Sequence, residues 1–593
     1  MTTTEASNMQ ERPSEPLETT GPVLSLDTAA AARHFRYDLN LCLNLSTLFF
    51  VASATQWTAG VTPSSYAFMV REYPNARIKL LWVTTFVGLF TAVISLVIGQ
   101  ISDQFGRRSW VVLSCIFGII GSAIMAWAGS PDVVIAGSAI VSIGAAFGFL
   151  TYPFTSELVP KEDRGVVLAI LSSLEGAMSL AGILLCGYFV RDGIHGRYRG
   201  WRIGAMIDLA LWAIGLVGTI FFYHPQPRQS TDGNVYSYLR NFDWTGAVLG
   251  VTGIGCFLVG LNLGDREYAW DSAAVLVLII IGGLLVVAFG IWEWKGTRHG
   301  LIPHDLFISR NLPLSYGLAF LAGFITFGAA GFFQLEVNYL YTNDPLLSVV
   351  YNLPFVCGTL VFAVLAGIWT KIYKTATPPL LVAVSLYTVG CIVLLTIKAS
   401  SAYGQFAIGT LILAAQPAVL GSLYPLIASV STPNALISTS ITLGNTARGL
   451  GGAIGATIIN QIYAAKTKKY LPPPILDRVL PLGIPLTSLE PLIVALAGNN
   501  VEGILDIPGV TPEILKAAFA GVEEGASEAL KWVWIAMLPF AVLGIGLVLG
   551  LESIKHLMTG EVVRAVEHVH HPTIHHRDLN EVEKAAITQQ ESL

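Results

Sequence analysis

The sequence predicts an all-α membrane protein of fourteen spans. Only 12% of its 593 residues are charged, while 53% are hydrophobic. A soluble domain carries about a quarter charged residues, so this chain lacks the polar surface a large globular protein needs. Apolar runs recur between Leu41 and Leu551, each near the ~20 residues that cross a bilayer as a helix. The alternating ~10-residue segments of a membrane barrel are absent. In lipid each run has to satisfy its own backbone hydrogen bonds, which makes the runs helices.

Gly, Pro and charged clusters punctuate the runs. The spans fall at roughly 41–61, 80–101, 109–129, 132–152, 166–190, 203–223, 244–262, 273–293, 313–333, 346–369, 378–397, 403–430, 437–463 and 531–551. The first is the least regular, because Asn44, Ser46, Thr47 and Gln56 interrupt it. An even number of spans puts both termini on one side. With that side cytoplasmic, the inner segments carry about 18 Lys and Arg against about 15 outside, or about 9 once the long loop 464–530, which the rule governs weakly, is set aside, as the positive-inside rule expects. The loop 191–202, with Arg191, Arg197, Arg199 and Arg202, dissents.

Several function classes drop out. A net charge of −5 offers nothing to a nucleic acid. The six cysteines lie inside apolar runs without C-x-x-C spacing, so neither a disulfide nor a metal site is expected. His568, His570, His571, His575 and His576 cluster in the C-terminal tail without an ordered scaffold and read as solvated. The polar first 38 residues lack the basic start and apolar stretch of a signal peptide and read as a disordered tail. No G-x-x-x-x-G-K-[ST] run occurs, so ATP hydrolysis is not expected. No cofactor and no catalytic residue is expected. Transport energy would come from a gradient.

The sharpest motif joins the second and third spans: Gly99-Gln-Ile-Ser-Asp103-Gln-Phe-Gly106-Arg107-Arg108. A glycine at a helix end allows a tight turn, and Gly106 permits a left-handed backbone. Asp103 suits a helix N-terminus or an arginine partner, and the two arginines anchor a cytoplasmic loop. The spacing resembles the signature loop of the major facilitator superfamily. The resemblance implies that Gly99, Asp103, Gly106, Arg107 and Arg108 form a conformational latch between two helical bundles and do not touch substrate.

Other segments narrow the resemblance. In order they are Gly200-Trp201-Arg202, Phe242-Asp243-Trp244-Thr245-Gly246, Leu258-Val-Gly260-Leu261-Asn262, Tyr268-Ala-Trp270-Asp271-Ser272 and Glu293-Trp294-Lys295-Gly296. Leu301-Ile302-Pro303-His304-Asp305-Leu306-Phe307, then Arg448-Gly449-Leu450-Gly451-Gly452-Ala453-Ile454-Gly455, then Pro508-Gly509-Val510-Thr511-Pro512 complete the series. Together they look like fungal fourteen-span drug–proton antiporters, and in particular the fungal trichothecene efflux pump family, over about residues 40–555. The chain departs from that pattern twice. Ser138-Ala-Ile-Val-Ser142-Ile-Gly144 in the fourth span has no Arg, and Gly176, Gly182 and Gly187 in the fifth occur without the family's proline. Both departures leave proton antiport and the direction of transport open.

The resemblance implies two six-helix bundles plus two central helices. The segments are a tail 1–38, a first bundle 39–223, an insertion 224–311 with cytoplasmic linkers, a second bundle 312–552 and a cytoplasmic tail 553–593. Loop 464–530 is expected outside the cell, with amphipathic stretches around Leu486–Leu496 and Thr511–Leu530. The second half should repeat the latch. Gly367-Ile-Trp-Thr-Lys371-Ile-Tyr-Lys374 keeps the glycine and the basic residues but puts Lys371 where Asp103 stands.

Charges inside spans are costly and therefore functional candidates. Glu175 and Asp208 are candidates for proton coupling or substrate contact, as is Arg448. Asp208 has a structural alternative in pairing with Arg202, and Glu336 stands near the outer end of the ninth span. Gln56, Asn262, Gln334, Gln416 and Asn445 are candidate cavity residues or interhelical hydrogen bonds. Trp57, Tyr152, Phe154, Tyr188 and Tyr424 supply aromatic surface for bulky ligands or for packing. Gly444, Gly451 and Gly455 permit close helix approach.

The expected function is secondary transport by alternating access: proton-coupled efflux of a xenobiotic, toxin or secondary metabolite by a monomer in the plasma membrane. The partners are a small organic substrate, a proton gradient and the bilayer. Proton-coupled movement of a siderophore–iron chelate is the alternative. A non-transporting sensor is the alternative from another class, and the short tails leave it little room for a signalling domain.

Overall fold

The computed structural model describes residues 38–191, 199–225, 240, 242–264, 267–297, 300–342, 345–497 and 507–563. The amino-terminal tail, most of loop 191–202 and the histidine cluster of the C-terminal tail lie outside the described residues. The described residues are helical throughout, apart from turns and one isolated bridge between Gly264 and Tyr268.

The first half comprises α1 (Leu39–Ser64), the short α2 (Tyr66–Glu72), α3 (Arg77–Phe105), α4 (Arg108–Ala126), α5 (Pro131–Gly148), α6 (Thr151–Leu158), α7 (Arg164–Arg191) and α8 (Trp201–Phe221). Then come α9 (Trp244–Leu263) and α10 (Ala273–Ile291). The second half comprises α11 (Asn311–Leu340), α12 (Pro345–Tyr351), α13 (Leu353–Tyr373), α14 (Thr377–Leu395), α15 (Tyr403–Leu413), α16 (Ala415–Ser431) and α17 (Ile437–Tyr470). It ends with α18 (Pro472–Val479), α19 (Leu486–Ala497) and α20 (Pro512–Leu549).

Twelve of the described helical segments are long and apolar enough to cross a membrane. Two expected spans, α1 and α17, fall outside that set although they run for 26 and 34 residues. Their hydropathy is low because they turn polar residues inward. Asn44, Thr47, Ser53, Thr55, Thr58 and Thr62 of α1 are buried, as is the run from Ser438 to Asn445 in α17. Buried hydroxyls bond back to their own helix, as Thr55 does to the Val51 carbonyl at 3.0 Å.

Proline breaks the fourth span of each half in the same way. Pro153 and Pro417 each stand third in a helix, four residues after a carbonyl the ring would strike. The breaks fall at Phe149–Leu150 and at Ala414.

The halves meet through a crossed pattern. α3 packs along α17, and α7 packs along α13 and α16. The second span of each half thus meets the fifth span of the other, as an internal repeat requires. The α9–α10 pair sits outside, with α9 against α3 and α17. Of the loop 464–530, α18, α19 and the first turns of α20 share a small core of their own, including Leu471, Ile475, Leu492, Ile514 and Ala518. The second expected amphipathic stretch runs unbroken into the last span as one 38-residue helix.

Candidate functional site

The turn after α3 exists because Gly106 adopts φ +88°, open to glycine and closed to most side chains. The turn brings the Arg107 guanidinium back under its own helix. There Arg107 Nη2 donates to Asp103 Oδ1 at 2.6 Å, and Nε donates to Glu157 Oε2 at 3.0 Å. Nη2 also pairs with Glu157 Oε1, which makes that grip bidentate. The Phe154 ring lies 5.2 Å from the guanidinium carbon. Burial opposes the charge of Arg107, but Glu157 and Asp103 override it and hold the guanidinium protonated more firmly than in water. All three residues are buried.

Asp103 has a second oxygen, and it reaches the other half. Oδ2 accepts from the Thr439 backbone N–H at 3.1 Å and from its hydroxyl at 2.8 Å. Thr439 is in the first turn of α17, where backbone N–H groups have no partner in their own helix. A carboxylate from one half therefore caps a helix of the other half and meets the positive end of its dipole. The helices can come this close because of Gly99, where a Cβ would overlap Thr442. Gly99 lies within α3, so its role is close approach rather than the tight turn expected of it. Arg108 faces away and donates to the Ile220 carbonyl of α8 at 2.6 Å.

The second half has a counterpart at the same end of the helices. Gly367 of α13 packs against Gly165, Val166 and Ala169 of α7. Lys371 pairs with Asp163 at 3.0 Å and Lys374 with Glu162 at 2.9 Å, both just before α7. Arg164 Nη1 donates across to the Ser429 carbonyl at 2.9 Å.

Halfway along the helices lies a second polar group. Glu175 of α7 is buried, and its Oε2 accepts from the Tyr152 hydroxyl at 2.6 Å and from Gln56 Nε2 at 3.1 Å. On the other half the Tyr424 hydroxyl bonds Asn445, and Tyr424 also contacts Arg448. The arrangement is duplicated: in each half a tyrosine of the fourth span meets a polar residue of the fifth. Arg448 lies within electrostatic reach of both Glu175 and Tyr152. Arg448 and Gln56 are partly exposed. The cluster joins one acid and one cation from opposite halves.

Asp208 stands apart from both groups. It accepts from Thr58 Oγ1 at 2.9 and 3.0 Å and from Ser122 Oγ at 2.9 Å, inside the first half. The pairing with Arg202 does not form. Arg202 binds Glu72 at 2.8 Å and the carbonyls of Ala126 and Ala128, at the far end of α8. Glu336 accepts from Trp534 Nε1 at 3.3 Å within the second half. Gly451 and Gly455 pack α17 against Phe320 and Phe324 of α11 in the same half, not against the other half; Gly449 meets Ala92 of α3. Asn262 meets Thr85 at 3.4 Å, and Trp57 Nε1 donates to the Gly204 carbonyl at 3.1 Å. Among the described residues no group of His, Cys, Asp and Glu is placed to hold a metal.

Sequence reading missed Glu157, Thr439 and Asp163. The available signal for Glu157 was a lone carboxylate at the end of an apolar span. Thr439 carried none, since its backbone N–H does half the work.

Comparison with known proteins places these features. The model of the Major Facilitator Superfamily matches residues 45–456. The efflux pump dotC of Dothistroma septosporum is 26% identical over 492 residues, covering 82% of this chain and 80% of the pump. Azole resistance protein 1 of Saccharomyces cerevisiae is 26% identical, covering 66% of this chain and 72% of its own. The human organic anion transporter MFSD10 shares the fold at TM-score 0.55 and 10% identity, over 86% of this chain and 99% of that one. The proton:xylose symporter XylE does so at TM-score 0.51 and 14% identity, over 88% and 98%. The chain belongs to the Major Facilitator Superfamily, a family of multi-pass membrane transporters that move small organic substrates and are not enzymes.

Proposed function

We propose that the chain is a proton-coupled exporter of small organic molecules, a toxin or secondary metabolite among them, working by alternating access through fourteen spans. In this reading the Asp103 end faces the cytoplasm of a plasma-membrane protein with both termini inside, and α1 and α17 are the two remaining spans. Their length and their place in the crossed repeat support counting them. The relatives named as an efflux pump and an azole resistance protein support export over siderophore uptake.

The observation that carries the reading is the Asp103 carboxylate capping α17 across the interface. A carboxylate shared between a helix in its own half and a helix terminus in the other is made and broken when the halves swing. Gly99, Asp103, Gly106 and Arg107 then act as the latch, and Arg108 anchors the loop. Glu175 carries the exchanged proton, with Tyr152 and Gln56 orienting it. Arg448 sits across the interface as counter-charge and substrate contact. Asp208, held by the Thr58 and Ser122 hydroxyls inside one half, is a structural hub.

Purified protein in liposomes with an imposed pH gradient tests this against a panel of toxins and siderophores. Substrate should move against protons, and Glu175→Gln should abolish pH-driven transport while keeping substrate counterflow. Equal proton movement by wild type and variant would remove Glu175 from the coupling. No proton movement by either would end the proton-coupled reading.

A further inference from the structure

The chain does not leave the bundle where α20 ends. From Leu551 to Val563 it turns back across the Asp103 end, and its contacts divide between the halves. On the second half, the Glu552 N–H donates to Asn311 Oδ1 at 2.8 Å, and Asn311 Nδ2 donates to the Glu552 carbonyl at 3.2 Å. Ile554 and Met558 are each 2% exposed and sit in the hydrophobic core that both halves contribute to. On the first half, the segment pairs backbone to backbone with the loop between α6 and α7. Glu162 N–H donates to the Thr559 carbonyl at 3.1 Å, and Lys161 N–H donates to the Glu561 carbonyl at 3.2 Å.

One side chain spans the join. Glu561 Oε2 accepts from Lys161 Nζ of the first half at 2.6 Å, and Oε1 accepts from Asn434 Nδ2, between α16 and α17 of the second, at 3.0 Å. Lys374, already paired with Glu162 across the interface, also donates to the Met558 carbonyl at 3.3 Å. An unattached tail would not order its backbone this way, because ordering costs conformational entropy that only specific contacts offset.

We propose that segment 551–563 is a strap that clasps the two halves at the Asp103 end, holds that gate closed and slows its opening. The inference rests on the reading of the Asp103 end as a gate. Swinging the halves apart would pull the loop 160–163 from Thr559 and Glu561 and split the two ends of the Glu561 carboxylate. The strap is not a pH device. The hydrogen bond from Lys161, then that from Asn434, hold Glu561 below the usual carboxylate range. Its contribution is present above that range and fades only as pH falls through the lowered value. Around neutral pH the clasp stays charged, and salt is what weakens it.

The test uses a cysteine-free full chain with Ser429→Cys as reporter. Ser429 is fully buried at this gate, and its carbonyl receives Arg164. Labelling by a membrane-permeant maleimide in liposomes reports gate opening without knowledge of substrate or direction. Glu561→Gln and Lys161→Gln should each raise the labelling rate about two- to fivefold, the range of an exposed ion pair. A chain ending at Gly550 should exceed both. The exchange Lys161→Glu with Glu561→Lys should return the rate toward wild type. Asp103→Asn is the control for the gate itself. If it raises labelling while the strap variants do not, the strap is overturned and the gate stands. If none of the variants changes labelling, both are overturned. Should the shortened chain fail to fold, the point variants and the exchange still decide.

Discussion

The two halves close the same end of the molecule with opposite charges. In the first half Asp103 reaches the start of α17; in the second Lys371, at the matching place after Gly367, reaches the start of α7. The difference follows from what each target helix offers. The start of α17 presents the Thr439 N–H and hydroxyl and calls for an acceptor. The start of α7 is preceded by Glu162 and Asp163 and calls for cations. Burial differs as well. The Asp103–Arg107–Glu157 cluster is sealed, with side chains 2% exposed, whereas the Lys371 side chain is 55% exposed. One contact is a buried, geometrically fixed network, and the other is a solvated pair of ion bridges. A repeat can thus keep its geometry while the chemistry at one position reverses sign.

The largest effect is expected from Arg107→Leu. It would leave Asp103 and Glu157 buried, adjacent and without their cation. Breaking a buried pair from one side costs about 3–5 kcal/mol. The variant should therefore express poorly or lose much of its thermal stability in detergent. Near wild-type melting would mean that the sealed cluster is not what distinguishes the first half.

Asp103→Asn is gentler on the fold, since Arg107 keeps both bonds to Glu157. What it removes is the charge on the cap of α17, a contribution of about 0.3–1 kcal/mol at an exposed helix terminus and up to ~2 kcal/mol where partly buried. The closed gate should lose that much relative to the open one. Melting should change little, while transport turnover falls about two- to thirtyfold, the range that roughly 0.3–2 kcal/mol corresponds to. Normal turnover would break the assignment of the first-half contact as a latch.

What the sequence revealed about this site was set by distance along the chain. Asp103, Gly106 and Arg107 lie within one turn, so their spacing alone announced them. Glu157 lies 50 residues away and Thr439 336 residues away, and nothing local links either to Arg107 or Asp103. The reversed charge at Lys371 was visible, but its meaning was not, because its partner Asp163 belongs to the other half. The helices themselves were legible wherever lipid-facing surface dominates. α10, with few buried positions, has the highest hydropathy of the candidate spans. α17 lies between α3 and α11 and spends its polar residues on that interior, so its membrane character is diluted.

The smallest effect sharpens the comparison most. Lys371→Asp gives the second half the residue of the first. It would face Asp163, which now pairs with Lys371 at 3.0 Å. An exposed ion pair is worth about 0.5 kcal/mol, and a repulsive pair costs a similar amount, so the two together shift turnover by about fivefold. The shift should shrink as salt rises from low to about 0.15 M, where the Debye length is about 8 Å. Adding Asp163→Lys should restore the wild-type value, because the pair then has the same charges in exchanged places. Asp163→Asn in the same background should restore only part of it, since it removes repulsion without attraction. In the buried first half, a charge added at Thr439 by Thr439→Asp should show no comparable relief with salt. If salt affects both halves alike, the two contacts do not differ in solvation, and the contrast between a sealed latch and a solvated one fails.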